Sequence, residues 1–275
     1  MNILNDVEEL EVSLLLEAIF QRFGMDFRNH QKPGIRRKLH GFMKAHSIAS
    51  VSMLQSKVLH DATFIDPLLC ALDARPVGLF DYPEQMMKMR KVLVPWLRSC
   101  PAPKVWIAEC TAAEDVYGLA ILLMEENLYH KTRIYVTGPN ASLLAEAHQS
   151  KFSTKRLKQY EQNYLLAGGS EALLNYCEKI DGSFVFSSEL QRNITWAQYN
   201  LGTDASFNEF EVIVCCNGLT DFTWRSRHRA LQIFYDSQPN FGMLTISGEA
   251  PLEVASLVSR YKALSTKYGL YQRGI

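Results

Sequence analysis

A cluster of basic side chains near the start of this sequence could bind an acidic partner. Its members are Arg36, Arg37, His40 and Lys44, with Lys32 and Lys38 nearby. The apolar residues of the same segment recur at three- and four-residue intervals, which predicts a helix whose apolar face differs from the basic one. A basic helix face can dock a glutamate-rich helix through complementary charge, and it can equally be an ordinary solvated surface. The residues themselves leave both interpretations open.

A second candidate for binding chemistry follows a predicted buried strand near residue 215. The apolar run at residues 210–215 is typical of such a strand, and Cys216, Asn217 and Gly218 come directly after it. In sheets built from parallel strands, ligands bind at the carboxyl ends of the strands. The Asn217 amide could therefore hydrogen-bond a ligand there, or it could cap a turn, and the sequence does not decide between the two.

Common active-site motifs are missing from the sequence. It contains no G-x-G-x-x-G, no phosphate-binding G-x-x-x-x-G-K-[ST], no G-x-S-x-G and no H-E-x-x-H. The turn after the first predicted strand, at residues 109–113, has no glycine, so side chains hinder a close approach of its backbone to a nucleotide. The six cysteines lack metal-binding spacing. We therefore expect reduced thiols and no metal site.

Charge and composition narrow the classes of function. The chain has 29 basic and 29 acidic residues, so no overall field attracts it to nucleic acid or to an acidic membrane. The acidic start lacks the basic residues and the apolar run of a signal peptide. No apolar stretch approaches the roughly 20 residues that a spanning helix needs. We expect a cytoplasmic protein that neither binds nucleic acid nor inserts into a membrane.

The order of the predicted elements divides the chain into domains. Residues 1–75 show only helical periodicity, and residues 76–103 form a linker followed by one helix. From residue 104 to 275, short apolar runs alternate with helical patterns, which predicts βαβ units and a mainly parallel sheet. Residues 184–186 and 194–199 alternate as strands do, and they could pair as a β-hairpin in a small subdomain at about 181–200.

At these same loops the sequence resembles the CheR-type chemotaxis receptor methyltransferases, in order and over nearly the whole chain. The family's first cofactor strand and loop is matched at Trp106, Ala108, Cys110, Glu114 and Tyr117. A later family motif is matched at Phe210, Ile213, Cys215, Asn217 and Phe222. The resemblance implies an α/β protein. Its N-terminal all-helical domain would precede a Rossmann-like S-adenosylmethionine-methyltransferase fold with a small β-hairpin subdomain.

The resemblance also implies site residues and a partner. Contacts to S-adenosylmethionine would come from Glu114, Asn200, Leu201, Asn217 and Gly218. The basic cluster at residues 36–44 would meet a helical, chemoreceptor-like protein. No residue of this sequence is identified as catalytic.

Several polar cofactor positions of the family are replaced here. Glu109 and Ala113 stand where the family loop has glycine, Gly138 stands where an aspartate binds the ribose hydroxyls, and Val77 and Asp81 replace two more polar residues. We therefore expect a degenerate member that acts by protein binding in chemosensory-type signalling. The alternative is an active S-adenosylmethionine-dependent protein methyltransferase with atypical cofactor contacts. A third hypothesis is a pocket for another nucleotide or small effector.

Overall fold

The computed structural model describes residues 3–152, 154–180, 183–216, 218–247 and 259–274. The chain forms two compact units. The first comprises Met1–Ala74 and Asp221–Arg227, and the second comprises Arg75–Thr220 and His228–Ile275. The first unit is therefore built from the N-terminal segment and from a short segment that comes much later in the chain.

Four helices build most of the first unit. They are α1 (Ile3–Phe23), α2 (Lys32–Ala45), α3 (Val51–His60) and α4 (Ile65–Asp73). Pro33 lies in the first turn of α2, where its missing N–H costs no hydrogen bond. Ser50 caps α3 by accepting a hydrogen bond from the Met53 N–H at 3.2 Å. The helices share a buried core that includes Leu15 and Leu39, and this packing stabilises helices that would be marginal alone.

The late segment is held to this unit by several contacts. The Gln31 N–H donates to the Asp221 carbonyl at 2.7 Å, and Phe222 forms a β-bridge with His30. The Lys38 ammonium lies 3.1 Å from an Asp221 carboxylate oxygen. Asp221 therefore serves the packing of the helical unit.

The second unit contains the remaining helices and the strands of the described residues. The helices are α5 (Pro83–Ser99), α6 (Glu114–Glu125), α7 (Ala141–His148), α8 (Leu157–Leu166), α9 (Ser188–Gln191) and α10 (Trp224–Asp236), whose first residues belong to the late segment of the helical unit. The strands are β1 (Lys104–Ala108), β2 (Arg133–Gly138), β3 (Lys151–Phe152), β4 (Cys177–Ile180), β5 (Ser183–Phe186), β6 (Ile194–Gln198), β7 (Val212–Cys216), β8 (Met243–Ser247), β9 (Tyr261–Ser265) and β10 (Leu270–Arg273).

Seven of the strands form one mixed sheet in the order β6-β2-β1-β7-β8-β10-β9. The first five strands of that order are parallel, and β10 runs antiparallel to β8 and β9. Trp106 of the central strand β1 is fully buried among Tyr199, Phe210 and Phe234. Its indole N–H donates to the Thr137 hydroxyl at 2.7 Å. The expected fold, a helical domain and a Rossmann-like sheet, is confirmed.

The predicted pairing of residues 184–186 with residues 194–199 is wrong. Both segments are strands, but β5 pairs with β3 and β4 in a separate three-stranded sheet, whereas β6 pairs in parallel with β2 at the edge of the main sheet. The short helix α9 lies between them and redirects the chain. The small subdomain therefore contains a hairpin of β4 and β5, and β6 belongs to the Rossmann-like sheet.

Within the described ranges, no helix has both the length and the apolar character needed to cross a membrane.

Candidate functional site

The loop after β1 lies directly against the end of β2. The Cys110 N–H donates to the Thr137 carbonyl at 2.8 Å. Glu109, just before it, has φ 59° and a mostly buried side chain, and its carbonyl accepts a hydrogen bond from the Arg75 guanidinium. A left-handed backbone at a non-glycine residue is uncommon, so the hydrogen bonds on both sides hold this turn in place.

Gly138, the last residue of β2, packs against the same loop. A Cβ atom built on Gly138 would lie closer than 3.0 Å to the Cys110 carbonyl oxygen and 3.4 Å from Leu144 Cδ2. Real Cβ atoms essentially never come that close to a backbone oxygen. In this loop conformation the position therefore has no room for a side chain.

Helix α6 begins with two carboxylates, and both accept hydrogen bonds. The Tyr160 hydroxyl donates to Glu114 at 2.7 Å, and the Thr111 N–H donates to Asp115 at 3.2 Å. Burial raises the pKa of Asp115 to about 6, although the charge of Arg75 and two backbone hydrogen bonds oppose the shift. Burial also raises the pKa of Tyr160 to about 12, so its hydroxyl stays protonated and donates.

A cavity opens beside these carboxylates at the start of α6. Its polar lining includes Asp81, Gln85, Glu114 and Asp115, and its apolar lining includes Phe80 and Met86. The space open to the centres of water-sized molecules is about 80 Å³, whereas sites for drug-sized ligands measure roughly 300–1,000 Å³. The cavity has room for a few water molecules, and its lining is acidic.

The predicted cofactor residues are only partly brought together. Glu114 lines the cavity, whereas Asn200, Leu201 and Gly218 do not. The Asn200 side chain accepts from the Gly202 N–H at 2.7 Å within its own turn. Leu201 is buried, and its carbonyl accepts from Arg229 at 3.1 Å. Gly218 begins a 3-10 turn, and Asn217 lies outside the described residues.

Sequence reasoning did not identify Gln85 and Asp115 as site residues. Gln85 is buried, and its amide donates to the Tyr268 carbonyl at 2.7 Å across a large sequence separation. No local pattern could have indicated that contact. For Asp115 the signal was its place beside Glu114 in the first turn of a helix that follows a parallel strand.

The basic cluster of α2 is partly covered by α1. His40 Nε2 lies 2.7 Å from a Glu8 oxygen, and Arg36 Nη2 lies 3.7 Å from a Glu9 oxygen. Lys32 also pairs with Glu9 and lowers the pKa of that carboxyl. Arg37 and Lys44 are exposed and have no ion-pair partner within the described residues. The predicted surface thus divides into an internally paired part and a free part.

Comparisons with known proteins match both units. The chain matches the SAM binding domain of the CheR methyltransferases over residues 81–265 and their all-alpha domain over residues 10–72. A Pseudomonas putida protein, Cher3, whose name assigns it provisionally to the methyltransferases, is 34% identical over 96% of this chain and 97% of its own. The chemotaxis protein methyltransferase of Listeria innocua is 23% identical over 82% and 84%, respectively. The solved structure of the N-methyltransferase NodS from Bradyrhizobium japonicum is 12% identical, with a TM-score of 0.38 over 72% of this chain and 100% of NodS.

Proposed function

This chain belongs to the CheR methyltransferase family, and we propose that it acts by binding a protein partner in chemosensory-type signalling rather than by methyl transfer. The proposed partner is a helical protein with an acidic surface. The observation that carries the proposal is the packing of Gly138 against the Cys110 carbonyl, because it leaves no room there for the aspartate that the family resemblance implies as the ribose ligand.

At the position that binds the ribose in the family, this chain lacks the expected side chain. The family resemblance places a carboxylate where this chain has Gly138, and a hydrogen bond to a charged group contributes about 1.5–3 kcal/mol. Losing that bond alone weakens binding about ten- to hundredfold. The Cys110 carbonyl oxygen lies beside Gly138, so in this loop conformation a carboxylate cannot stand at that position.

The remaining cofactor positions support the same proposal. Glu109 adds a carboxylate to the loop that faces the amino-acid part of the cofactor in the family, and like charges repel strongly in a site with little water. The cavity beside α6 offers about 80 Å³ to the centres of water-sized molecules, which is small for a nucleotide-sized ligand and supports the same proposal. For that reason methyl transfer is not part of the proposed function.

The partner surface rests on the free part of the basic cluster. Arg37 and Lys44 carry exposed charges on α2, and an acidic helix would gain complementary charge by docking there. Contacts of this kind mainly increase the association rate and weaken with salt. A partner that also displaced Glu8 and Glu9 would gain access to His40 and Arg36.

Calorimetric titration with S-adenosylmethionine and S-adenosylhomocysteine tests the proposal. The Listeria innocua relative serves as the positive control, and circular dichroism confirms that this protein is folded. We expect no heat of binding at about millimolar ligand, corresponding to less than about 4 kcal/mol. Micromolar binding, about 8 kcal/mol, together with transfer of a labelled methyl group to a receptor fragment, would refute it.

The second candidate is an active methyltransferase with atypical contacts. The acidic lining of the cavity favours it, because Asp81, Glu114 and Asp115 would suit a positively charged ligand. Titration of a Glu114→Gln variant distinguishes the methyltransferase function from the protein-binding function. If the cavity binds the cofactor, the variant loses the heat of binding that wild type gives, and if it does not, neither protein gives any.

A further inference from the structure

We propose that the helical unit binds a small aliphatic carboxylate in a cavity lined by α1, α2 and the segment between them. The cavity offers about 220 Å³ to the centres of water-sized molecules, well above the 80 Å³ of the cavity beside α6. All its lining residues belong to the helical unit. The proposal does not depend on the proposed function.

One wall of the cavity is aliphatic. Val12 and Leu16 of α1 and Ile35 of α2 line it, and each belongs to the buried core of the unit. An apolar surface in contact with cavity water costs free energy that an alkyl chain would recover by covering it. The wall therefore suits a ligand with a short hydrocarbon body.

Another part of the lining presents an unsatisfied cation. The Nη2 atom of Arg36 is buried and has no hydrogen-bond partner in the described part of the chain. The Glu9 oxygen to which it is paired lies 3.7 Å away, beyond hydrogen-bonding distance. A buried donor without a partner is costly, and a planar carboxylate is the group that matches a guanidinium best.

The two other cationic side chains of the lining already have carboxylate partners. Arg28 bonds Glu17 and Asp26, each at 3.0 Å, and Lys32 pairs with Glu9. These contacts leave Arg36 as the lining cation whose donor is unmatched.

The charges around the cavity favour an anion with a single charge over one with two. Three cations, Arg28, Lys32 and Arg36, meet three carboxylates, which are Glu9 and Glu17 of the lining and Asp26, the partner of Arg28. Burial lowers the pKa of the lining residue His30 to about 4, so its ring is neutral at pH 7. Because these charges balance, the site offers an anion the unmatched Arg36 donor but no excess positive charge. A monocarboxylate therefore fits better than inorganic phosphate, which is partly a dianion at this pH.

Methyl NMR of the full chain tests the site directly. Sodium salts of straight-chain carboxylates from acetate to octanoate are titrated while the methyl signals of Val12, Leu16 and Ile35 are followed. We expect saturable shifts at these methyls, with dissociation constants between about 10 µM and 1 mM for the best chain length. The matching primary amides and inorganic phosphate should bind at least about tenfold more weakly.

Two variants locate the binding groups. Arg36→Gln should weaken binding at least about tenfold, whereas Arg37→Gln, its exposed neighbour on the same helix, should leave it unchanged. Ser13→Leu should fill part of the cavity and block binding while keeping Arg36, which preserves the test if Arg36→Gln does not fold. Ser13 is exposed and lines the cavity, so the substitution is compatible with folding.

Three results would overturn the proposal. The first is the absence of saturable shifts with every carboxylate up to about millimolar concentration. The second is equal affinity for a carboxylate and its amide. The third is unchanged binding by both Arg36→Gln and Ser13→Leu.

Discussion

Gly138→Asp restores the acceptor that the family uses for ribose, and we expect it to destabilise the protein without creating cofactor binding. The reason is steric. Even a methyl group at Gly138 would lie within 3.0 Å of the Cys110 carbonyl oxygen, and that carbonyl belongs to a loop fixed by the hydrogen bond from the Cys110 N–H to Thr137. The loop must move before any side chain fits.

The magnitude follows from overpacking. Forcing an extra methyl into a packed site costs about 1–3 kcal/mol, so Gly138→Ala should lose that much unfolding free energy. Gly138→Asp should lose at least as much, because its carboxylate would face a carbonyl oxygen. For a unit of 150–250 residues this corresponds to a melting temperature about 2–12 °C lower.

Urea denaturation followed by circular dichroism measures the loss, and Gly41→Ala is the matched control. A Cβ at Gly41 meets nothing within 4 Å, so this helical substitution should stabilise the protein by about 0.5–1 kcal/mol. The reasoning fails if Gly138→Ala is as stable as wild type. It also fails if Gly138→Asp binds S-adenosylmethionine at micromolar concentration.

The remaining predictions concern charge. Burial raises the pKa of Asp115 from 3.8 to about 6, so the folded state binds this proton more tightly than the unfolded state does. The unfolding free energy of wild type should therefore fall by up to about 3 kcal/mol as the pH rises from about 4 to about 6. Asp115→Asn should remove that loss, as measured by urea denaturation. Arg90→Met should cost about 3 kcal/mol, because it leaves the Glu125 carboxylate, 3% exposed, without its guanidinium, and adding Glu125→Gln should recover most of it by the same assay. Glu9→Gln should raise the affinity for a glutamate-rich helical peptide about 1.5- to 5-fold in fluorescence anisotropy, and Arg37→Glu should lower it similarly.

Each of these has a contradicting outcome. An unchanged pH profile in Asp115→Asn would mean that the carboxyl does not titrate in this range. A double variant at Arg90 and Glu125 as unstable as Arg90→Met would show that lost packing, not an unpaired carboxylate, causes the cost. Peptide affinity that does not fall in high salt would exclude a charge-based contact on α2.

Much of the fold could be predicted because its signals are local. The helical periodicity of residues 1–75 corresponds to α1 to α4, and the buried strand predicted at residues 210–215 overlaps β7. Apolar patterning sufficed for both, since buried side chains recur at the period of the helix or strand that carries them. The pairing of residues 184–186 with 194–199 failed because alternation identifies strands but not their partners. β5 pairs with the preceding strand β4, whereas β6 pairs with the distant strand β2.

The candidate site was harder to predict because its geometry depends on long-range contacts. The replacement of glycine by Glu109 is visible in the sequence, but the left-handed backbone there and the bond from Arg75 are not. Asn200 has the residue type of a ligand contact, yet its amide is used by its own turn. Residue types therefore indicated which positions belong to the candidate site, and only the packing indicated which contacts each side chain makes.

The late segment of the helical unit limits how this architecture can be cut and recombined. A gene fragment that ends at residue 74 omits Asp221 and Phe222, so it lacks the partners of Gln31, His30 and Lys38. Such a fragment would leave these three residues without their observed contacts, and domain swaps between relatives would need two matched breakpoints instead of one. Recombination should therefore tend to inherit the two units together.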